Sequence, residues 1–443
     1  MIKKNIFKAI SSLILLSTIA KIISIVVKIV IARKISTLAM SIYSLTLPTL
    51  SLLLNIAQLG IPTTISKLIA KKKYPVFKIM QVSIFVMLFI DLICGIIYLL
   101  FVPKLANYYL ANPNTLLTLY GMVLLLPLIS LTSILKGYYI GIDKVEVTAK
   151  CQISEEISRL LFVFLLVDLI NPNNISLLSF FTMFSSIIGE IASLIHLCIN
   201  LNVKNFKKRV TSHNEDNKKI INHVMKFSLM STSTKLFGSI IYFFEPILFT
   251  YLMLKVNVSL DDLTLQYGIV NSYVLPLILL PSFFSNCIAV FILPKLSFNI
   301  ENCNYLTAKK QFIQVIAYSI AIGVGCILII YLFPQAITKL LYGKVIGIYY
   351  IKKYAFFLFV CFLQAPFHMA LISFDKEKLL LIESIICNAI KIICFFIFIP
   401  LYKTDGLLIS IIISLYASIL IHIVSLTRCF IALHNKSKLI IDK

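Results

Sequence analysis

Apolar runs of about 20 residues recur along the whole chain between short polar breaks, and about 20 helical residues are what it takes to cross a hydrocarbon core about 30 Å thick. Reading runs against breaks predicts about twelve membrane-spanning helices. The first six cover 10–31, 40–63, 79–102, 116–140, 147–170 and 175–201, and the second six cover 225–252, 267–293, 311–333, 350–374, 379–399 and 406–426. The longest polar segment, 202–222, lies between these halves and carries Lys204, Lys207, Lys208, Arg209, Lys218 and Lys219. The predicted fold class is therefore all-α and integral to the membrane: an N-terminal six-helix lobe over 1–202, a cytoplasmic basic linker over 203–222 and a C-terminal six-helix lobe over 223–443.

The halves echo each other. The second span runs out through Ile65-Ser66-Lys67-Leu68 and the eighth through Leu293-Pro294-Lys295-Leu296, while the fourth runs out through Ile142-Asp143-Lys144 and the tenth through Phe374-Asp375-Lys376. Four-residue matches in apolar sequence carry little weight singly, but their helix order agrees. Two six-helix bundles of the same orientation imply a pseudo-two-fold along the membrane normal, as in transporters built from parallel repeats.

Composition strengthens this picture. Of 443 residues, 60% are hydrophobic and only 13% charged, where an ordinary soluble domain carries about 25% charge. The formal charge of +23 resides in short loops between apolar runs and not on a compact basic domain, which excludes nucleic acid as the partner. Of the basic residues, about 27 fall on the side that holds both termini, about 9 on the other and about 5 within spans, which predicts a multi-pass protein of the cell membrane with both termini cytoplasmic. The loop before the tenth span goes against this rule, with Lys339, Lys344, Lys352 and Lys353 crowded on the outer side. The basic stretch Met1 to Lys8 precedes an apolar run with no small-residue cleavage site, so it is expected to stay as the start of the first span.

Charges inside the spans are the chemistry-bearing feature, since a cation at the bilayer centre costs a few kcal/mol or more unless it meets water or a partner. The first span places Ser17, Lys21, Ser24 and Lys28 at spacings of four, three and four, on one helical face. Lys21 is mid-span; Lys28 and the following Arg33 are close enough to the outer interface to snorkel as well as to line a cavity. The seventh span carries Ser228, Ser231, Lys235, Gly238, Tyr242 and Glu245 as a second polar stripe, with Lys235 read either as a cavity residue or as half of an ion pair that only locks packing. The fifth adds Gln152, Glu155, Glu156 and Arg159, where Glu155 and Arg159 can pair at i, i+4. The sixth adds Glu190 and the eleventh Glu383, Asn388 and Lys391. Lys21, Lys28, Lys235 and Arg159 together imply a cationic, water-filled cavity that prefers an anion such as a diphosphate, and Glu155, Glu190 and Glu245 are candidates for ion coupling or internal pairing.

Enzyme chemistry is not indicated. There is no phosphate-binding G-x-x-x-x-G-K-[ST] loop, no histidine or cysteine spacing suited to a metal and no nucleophile motif. The ten cysteines lie apart, several of them inside apolar runs as small hydrophobes. No cofactor and no metal are expected.

The chain resembles the stage V sporulation protein B and lipid II flippase (MviN-like) branch of the multidrug, oligosaccharidyl-lipid and polysaccharide (MOP) exporter superfamily. The likeness rests on Lys21, Lys28 and Arg33 in AKIISIVVKIVIARKIS, on Gly60, Pro62, Ser66 and Lys67 in LGIPTTISKLIA, on Lys136, Gly137, Gly141, Gln152, Glu155 and Arg159 in LKGYYIGIDKVEVTAKCQISEEISRL, and on Pro276, Pro281 and Pro294 in VLPLILLPSFFSNCIAVFILPKLS. It implies a two-lobed flippase that moves an undecaprenyl-diphosphate-linked sugar by alternating access, with Lys21, Lys28 and Arg33 at the positions that bind the diphosphate, and cell-wall or polysaccharide synthesis enzymes as possible partners. Lysine in place of arginine at two of them supplies a point charge and not a two-pronged donor. That branch commonly has about two further C-terminal helices beyond the twelve spans read here. A cation-coupled multidrug exporter of the same superfamily is the alternative, with Glu245, Glu190 and Asp91 as carriers, and a non-transport scaffold for wall or spore assembly is a third reading.

Overall fold

The computed structural model describes residues 2–71, 74–201 and 217–441, and of the predicted linker 203–222 all but the last few residues lie outside these. The described residues are helical with no strand, and they form two compact units, Met1–Ile247 and Leu248–Lys443.

In the first unit, α1 (Ile2–Lys34) passes to α2 (Thr37–Gln58) through Ser36, whose hydroxyl accepts from the Ala39 N–H at 3.3 Å and satisfies one of the orphan donors at the helix start. A left-handed pair, Leu59 and Gly60, ends α2, and Pro62 opens α3 (Ile61–Ala70), where its missing N–H costs nothing. Then follow α4 (Val76–Lys104), α5 (Leu116–Gly121), α6 (Leu125–Gly141), α7 (Val145–Leu166), α8 (Ile175–Ile199) and α9 (Asn217–Lys255). The boundary between the units falls within α9, whereas the sequence places it at the polar segment 203–222. The early part of α9 packs into the first unit: Val224 joins the apolar cluster of α3, α4 and α6, and the Ser228 hydroxyl donates to Thr64 Oγ1 at 3.1 Å.

The second unit contains α10 (Leu260–Gly268), α11 (Leu275–Leu279), α12 (Ser282–Glu301), α13 (Tyr305–Leu332), α14 (Pro334–Tyr342), α15 (Ile348–Tyr354), α16 (Cys361–Ser373), α17 (Glu377–Tyr402) and α18 (Thr404–Ile441). Two predicted spans are bent here. The span over 267–293 turns by 49° where Pro281 interrupts the helix, and the span over 350–374 turns by 65° between α15 and the segment Phe357–Ser373. One of the crowded lysines, Lys353, has a carboxylate partner: its Nζ reaches Asp405 Oδ2 at 2.7 Å, and the Tyr349 hydroxyl donates to the same oxygen at 2.7 Å.

Among the described residues, eight helices are long and apolar enough to cross a membrane, or ten if each bent pair is one span. The chain is a multi-pass membrane protein. The twelve spans expected from sequence are not all reached on apolar length, and α1 and α7, which cover the first and fifth, are outside that set; α7 carries Glu155, Glu156 and Arg159. The surface is that of a protein solvated by hydrocarbon: Phe85, Leu92, Ile97 and Leu100 of α4 are more than half exposed, a patch far too large for water. Hydroxyls point inward instead and bridge helices, as in Thr118 to Ser179 at 3.0 Å, Ser130 to the Ala57 carbonyl at 2.9 Å and Tyr139 to the Leu197 carbonyl at 2.8 Å.

With no hydrophobic driving force between helices in lipid, close backbone approach has to supply the attraction. Gly137 and Gly141, one turn apart on α6, provide it against α3. A Cβ at Gly137 would lie 3.0 Å from the Pro62 backbone, and one at Gly141 would lie 2.8 Å from Ile69 Cβ and 3.1 Å from Ser66 Cα. Gly141→Leu is therefore expected to lower stability by about 1–3 kcal/mol through overpacking, read as a fall in the unfolding midpoint of the purified protein; an unchanged midpoint would mean that α3 and α6 do not depend on this contact.

Candidate functional site

Helix α1 packs along α7, and its buried residues include Ala20, Val27 and Ile31. Lys21, Lys28 and Arg33 are all exposed. Lys28 lies within electrostatic reach of Lys21 on its own helix and of Arg159 and Glu156 on α7. Arg33 is five residues beyond Lys28, which turns it about 140° away round the helix. The end of α1 is held by the next residue, Lys34, whose ammonium bonds Asp168 and the Phe164 carbonyl and lies 4.5 Å from the centre of the Phe164 ring.

Four helices converge on the Arg159 region. On α7, Arg159 Nη1 is 3.5 Å from Glu156 Oε2. The i, i+4 pair of Arg159 with Glu155 expected from spacing is not the arrangement adopted: Glu155 turns to α6, where its Oε2 is 3.8 Å from Lys136 Nζ. The reason is tertiary, because α6 brings a cation to the same depth and Glu155 meets it across the helix interface. Glu190 on α8 accepts from the Thr132 hydroxyl at 3.0 Å and interacts electrostatically with Lys136 and Glu155. Tyr43, buried on α2, hydrogen-bonds Ser186 and feels the Arg159 charge.

Space for Arg159 comes from a missing side chain. A Cβ at Gly189 on α8 would lie 2.6 Å from Arg159 Cγ and 2.8 Å from its Cδ, so the guanidinium stem passes over bare backbone. Its Nε is buried without a hydrogen-bond partner among the described residues. The first unit thus gathers four cations, Lys21, Lys28, Lys136 and Arg159, with three carboxylates, Glu155, Glu156 and Glu190. Lys21 and Lys28 stand on α1, while Lys136, Arg159 and the three acids stand on α6, α7 and α8.

The stripe on α9 behaves differently. Lys235 is exposed and Glu245 is buried. They stand ten positions apart on one continuous helix, about 15 Å along its axis, so they do not pair with each other. A Cβ at Gly238 would meet open space. Tyr242 interacts with both Glu245 and Tyr43, which ties this part of α9 to α2; the side chain of Ser231 lies outside the described residues.

Residues 6–298, more than half of the chain, match the family described as polysaccharide biosynthesis protein. The chain belongs to the polysaccharide biosynthesis protein family. Stage V sporulation protein B of Bacillus subtilis (strain 168) is 25% identical to this family member over 399 residues, 88% of this chain and 77% of that protein. An inward-facing multidrug resistance MATE family transporter of the MOP superfamily superposes with a TM-score of 0.72 at 13% identity, covering 94% of this chain and 96% of its own. Lipid II flippase MurJ in an inward closed conformation gives a TM-score of 0.67 at 13% identity, covering 96% of this chain and 90% of that one. The fold is therefore that of MOP superfamily transporters.

Sequence reasoning did not rank Lys136 as a site residue in this family member, since it lies near the end of its span. The available signal was a lysine inside an apolar run followed, on the next span, by two adjacent glutamates. The Gly189–Arg159 contact gives a test of the assembled site: Gly189→Ala is expected to lower stability by about 1–3 kcal/mol, with most of that loss absent when Arg159 is already alanine. A double-mutant cycle on unfolding midpoints reads the coupling, and additive effects would place Arg159 away from α8.

Proposed function

We propose that this chain is a flippase that carries a polyprenyl-diphosphate-linked sugar, lipid II or a related glycolipid, across the cell membrane by alternating access, with both termini in the cytoplasm. The observation that carries the reading is that Lys28 lies within electrostatic reach of both Lys21 and Arg159 in the first unit. Ammonium and guanidinium groups held together at membrane depth suit a ligand with several charged oxygens, and the partnerless Nε of Arg159 leaves a donor for it. Membership of the polysaccharide biosynthesis family and the similarity to stage V sporulation protein B support the same reading. In this proposal Lys21, Lys28 and Arg159 contact the diphosphate, and Arg33 and Lys235 guide it at the ends of the path. Lys136 sets the position of Glu155, and Glu155, Glu190 and Glu245 balance or couple the charge.

A second reading, a cation-coupled multidrug exporter, is favoured by one observation: three carboxylates converge beside Arg159, in a fold shared with a MATE transporter. It predicts a cationic cargo held by Glu155 and Glu190.

Flipping of a fluorescent undecaprenyl-diphosphate sugar in proteoliposomes separates the two. Each lost hydrogen bond to a charged group costs about 1.5–3 kcal/mol, so Lys28→Ala and Arg159→Ala are each expected to weaken glycolipid binding by about 10- to 150-fold. No glycolipid movement by the wild type, together with uptake of a cationic dye that Glu155→Gln abolishes, would establish the exporter instead.

A further inference from the structure

The second unit encloses a titratable cluster far along the chain from the site described above. Glu383 on α17 and His422 on α18 are 8% and 2% exposed, and His422 Nε2 is 3.0 Å from Glu383 Oε2. The Ser418 hydroxyl donates to the other carboxyl oxygen, Oε1. Around them lie Phe367, Leu371, Leu380, Ile419 and Leu426 of a continuous apolar core. The Phe367 ring lies almost parallel to the imidazole, at 13° and 6.2 Å between centres.

Charge counting shows what such a pair lacks. With Glu383 ionised and His422 neutral, one negative charge sits in an apolar interior, an arrangement that is costly unless compensated. One proton makes the pair neutral overall, as glutamate with imidazolium or as glutamic acid with imidazole. In either proton-loaded form Nδ1 of His422 carries a hydrogen; in the empty form Nε2–H donates to the carboxylate and Nδ1 is bare. A histidine locked for structure usually spends its second ring nitrogen on a carbonyl or carboxylate. Here Nδ1 is buried and has no hydrogen-bond partner among the described residues, so no bond fixes it in one state.

The titratable groups facing the pair are few. From α17 Cys387 Sγ lies 4.0 Å from Glu383 Oε1. From α16 comes His368, which interacts electrostatically with both partners and is itself exposed, next to the stacked Phe367. Helix α13 contributes Phe312 against Phe367, and the turn Phe357–Val360 is apolar. His368 is thus an exposed titratable group within electrostatic reach of the buried pair.

We infer that Glu383 and His422 form a proton-binding site that takes up one proton per chain, with His368 as its entry group. The proton comes from solvent and adds to Nδ1; in the imidazolium form no other covalent bond changes, and in the glutamic acid form the Nε2 hydrogen passes to Glu383 Oε2. The site gives the second unit two charge states, whatever cargo the chain carries.

The test uses the full chain in lipid nanodiscs with nitrogen-15 histidine and no cargo, so its outcome is independent of the flippase reading; His422→Gln and His368→Gln assign the ring signals. His422 Nδ1 is expected to gain a proton as the pH falls from about 8 to about 5, the range in which histidine switches. Glu383→Gln, which removes the anionic partner, is expected to weaken proton binding at least about tenfold, or one unit of titration midpoint. Should that variant not fold, Ser418→Ala keeps the carboxylate, removes its hydroxyl donor and is expected to strengthen proton binding. A single protonation state of His422 across this interval, or a variant that titrates as the wild type does, overturns the inference.

Discussion

In a hydrocarbon solvent a charged side chain has nowhere to go except to another charged or polar group of the same chain, to a ligand or to water that the fold admits. The arrangement of both units follows from this one constraint. Many hydroxyls and several ions, such as Glu245 and Glu383, turn inward, while large apolar side chains also cover the exterior. Helix packing is then set by which polar groups must meet, and small residues are placed where they have to meet closely.

The Lys28, Arg159, Glu156, Glu155, Lys136 and Glu190 network shows the constraint at its densest. Every cation there has an acid on its own or a neighbouring helix, and the acids are shared. Gly189 admits the Arg159 stem, and Gly137 with Gly141 lets α6 come close enough to α3 for Lys136 to sit opposite Glu155.

The second unit meets the same requirement with histidine. Glu383 is shielded by His422 and Ser418, which bond its two oxygens. Lys353 is instead neutralised by Asp405, a permanent pair at the point where the span is bent. The second unit thus holds a histidine–carboxylate pair and a lysine–carboxylate pair at different places.

How much of this was legible in the sequence depended on range. Apolar run lengths dictated helices of membrane length, because spacing along one chain is all that this property needs, and Lys21, Lys28, Arg159, Glu190 and Glu383 stood out because a charge in a hydrocarbon segment is costly wherever it points. Partners were another matter. Helical spacing suggested Glu155 with Arg159 and a carboxylate with Lys235, yet Glu155 pairs with Lys136 and Glu245 is separated from Lys235 along one rigid helix. The two bends and the unit boundary inside α9 were equally hidden, since each depends on what a helix packs against. Local sequence determined that charges would lie within apolar runs; which charges meet was decided only by the tertiary approach of helices, because a partner on another helix is chosen by packing and leaves no periodic trace in the chain.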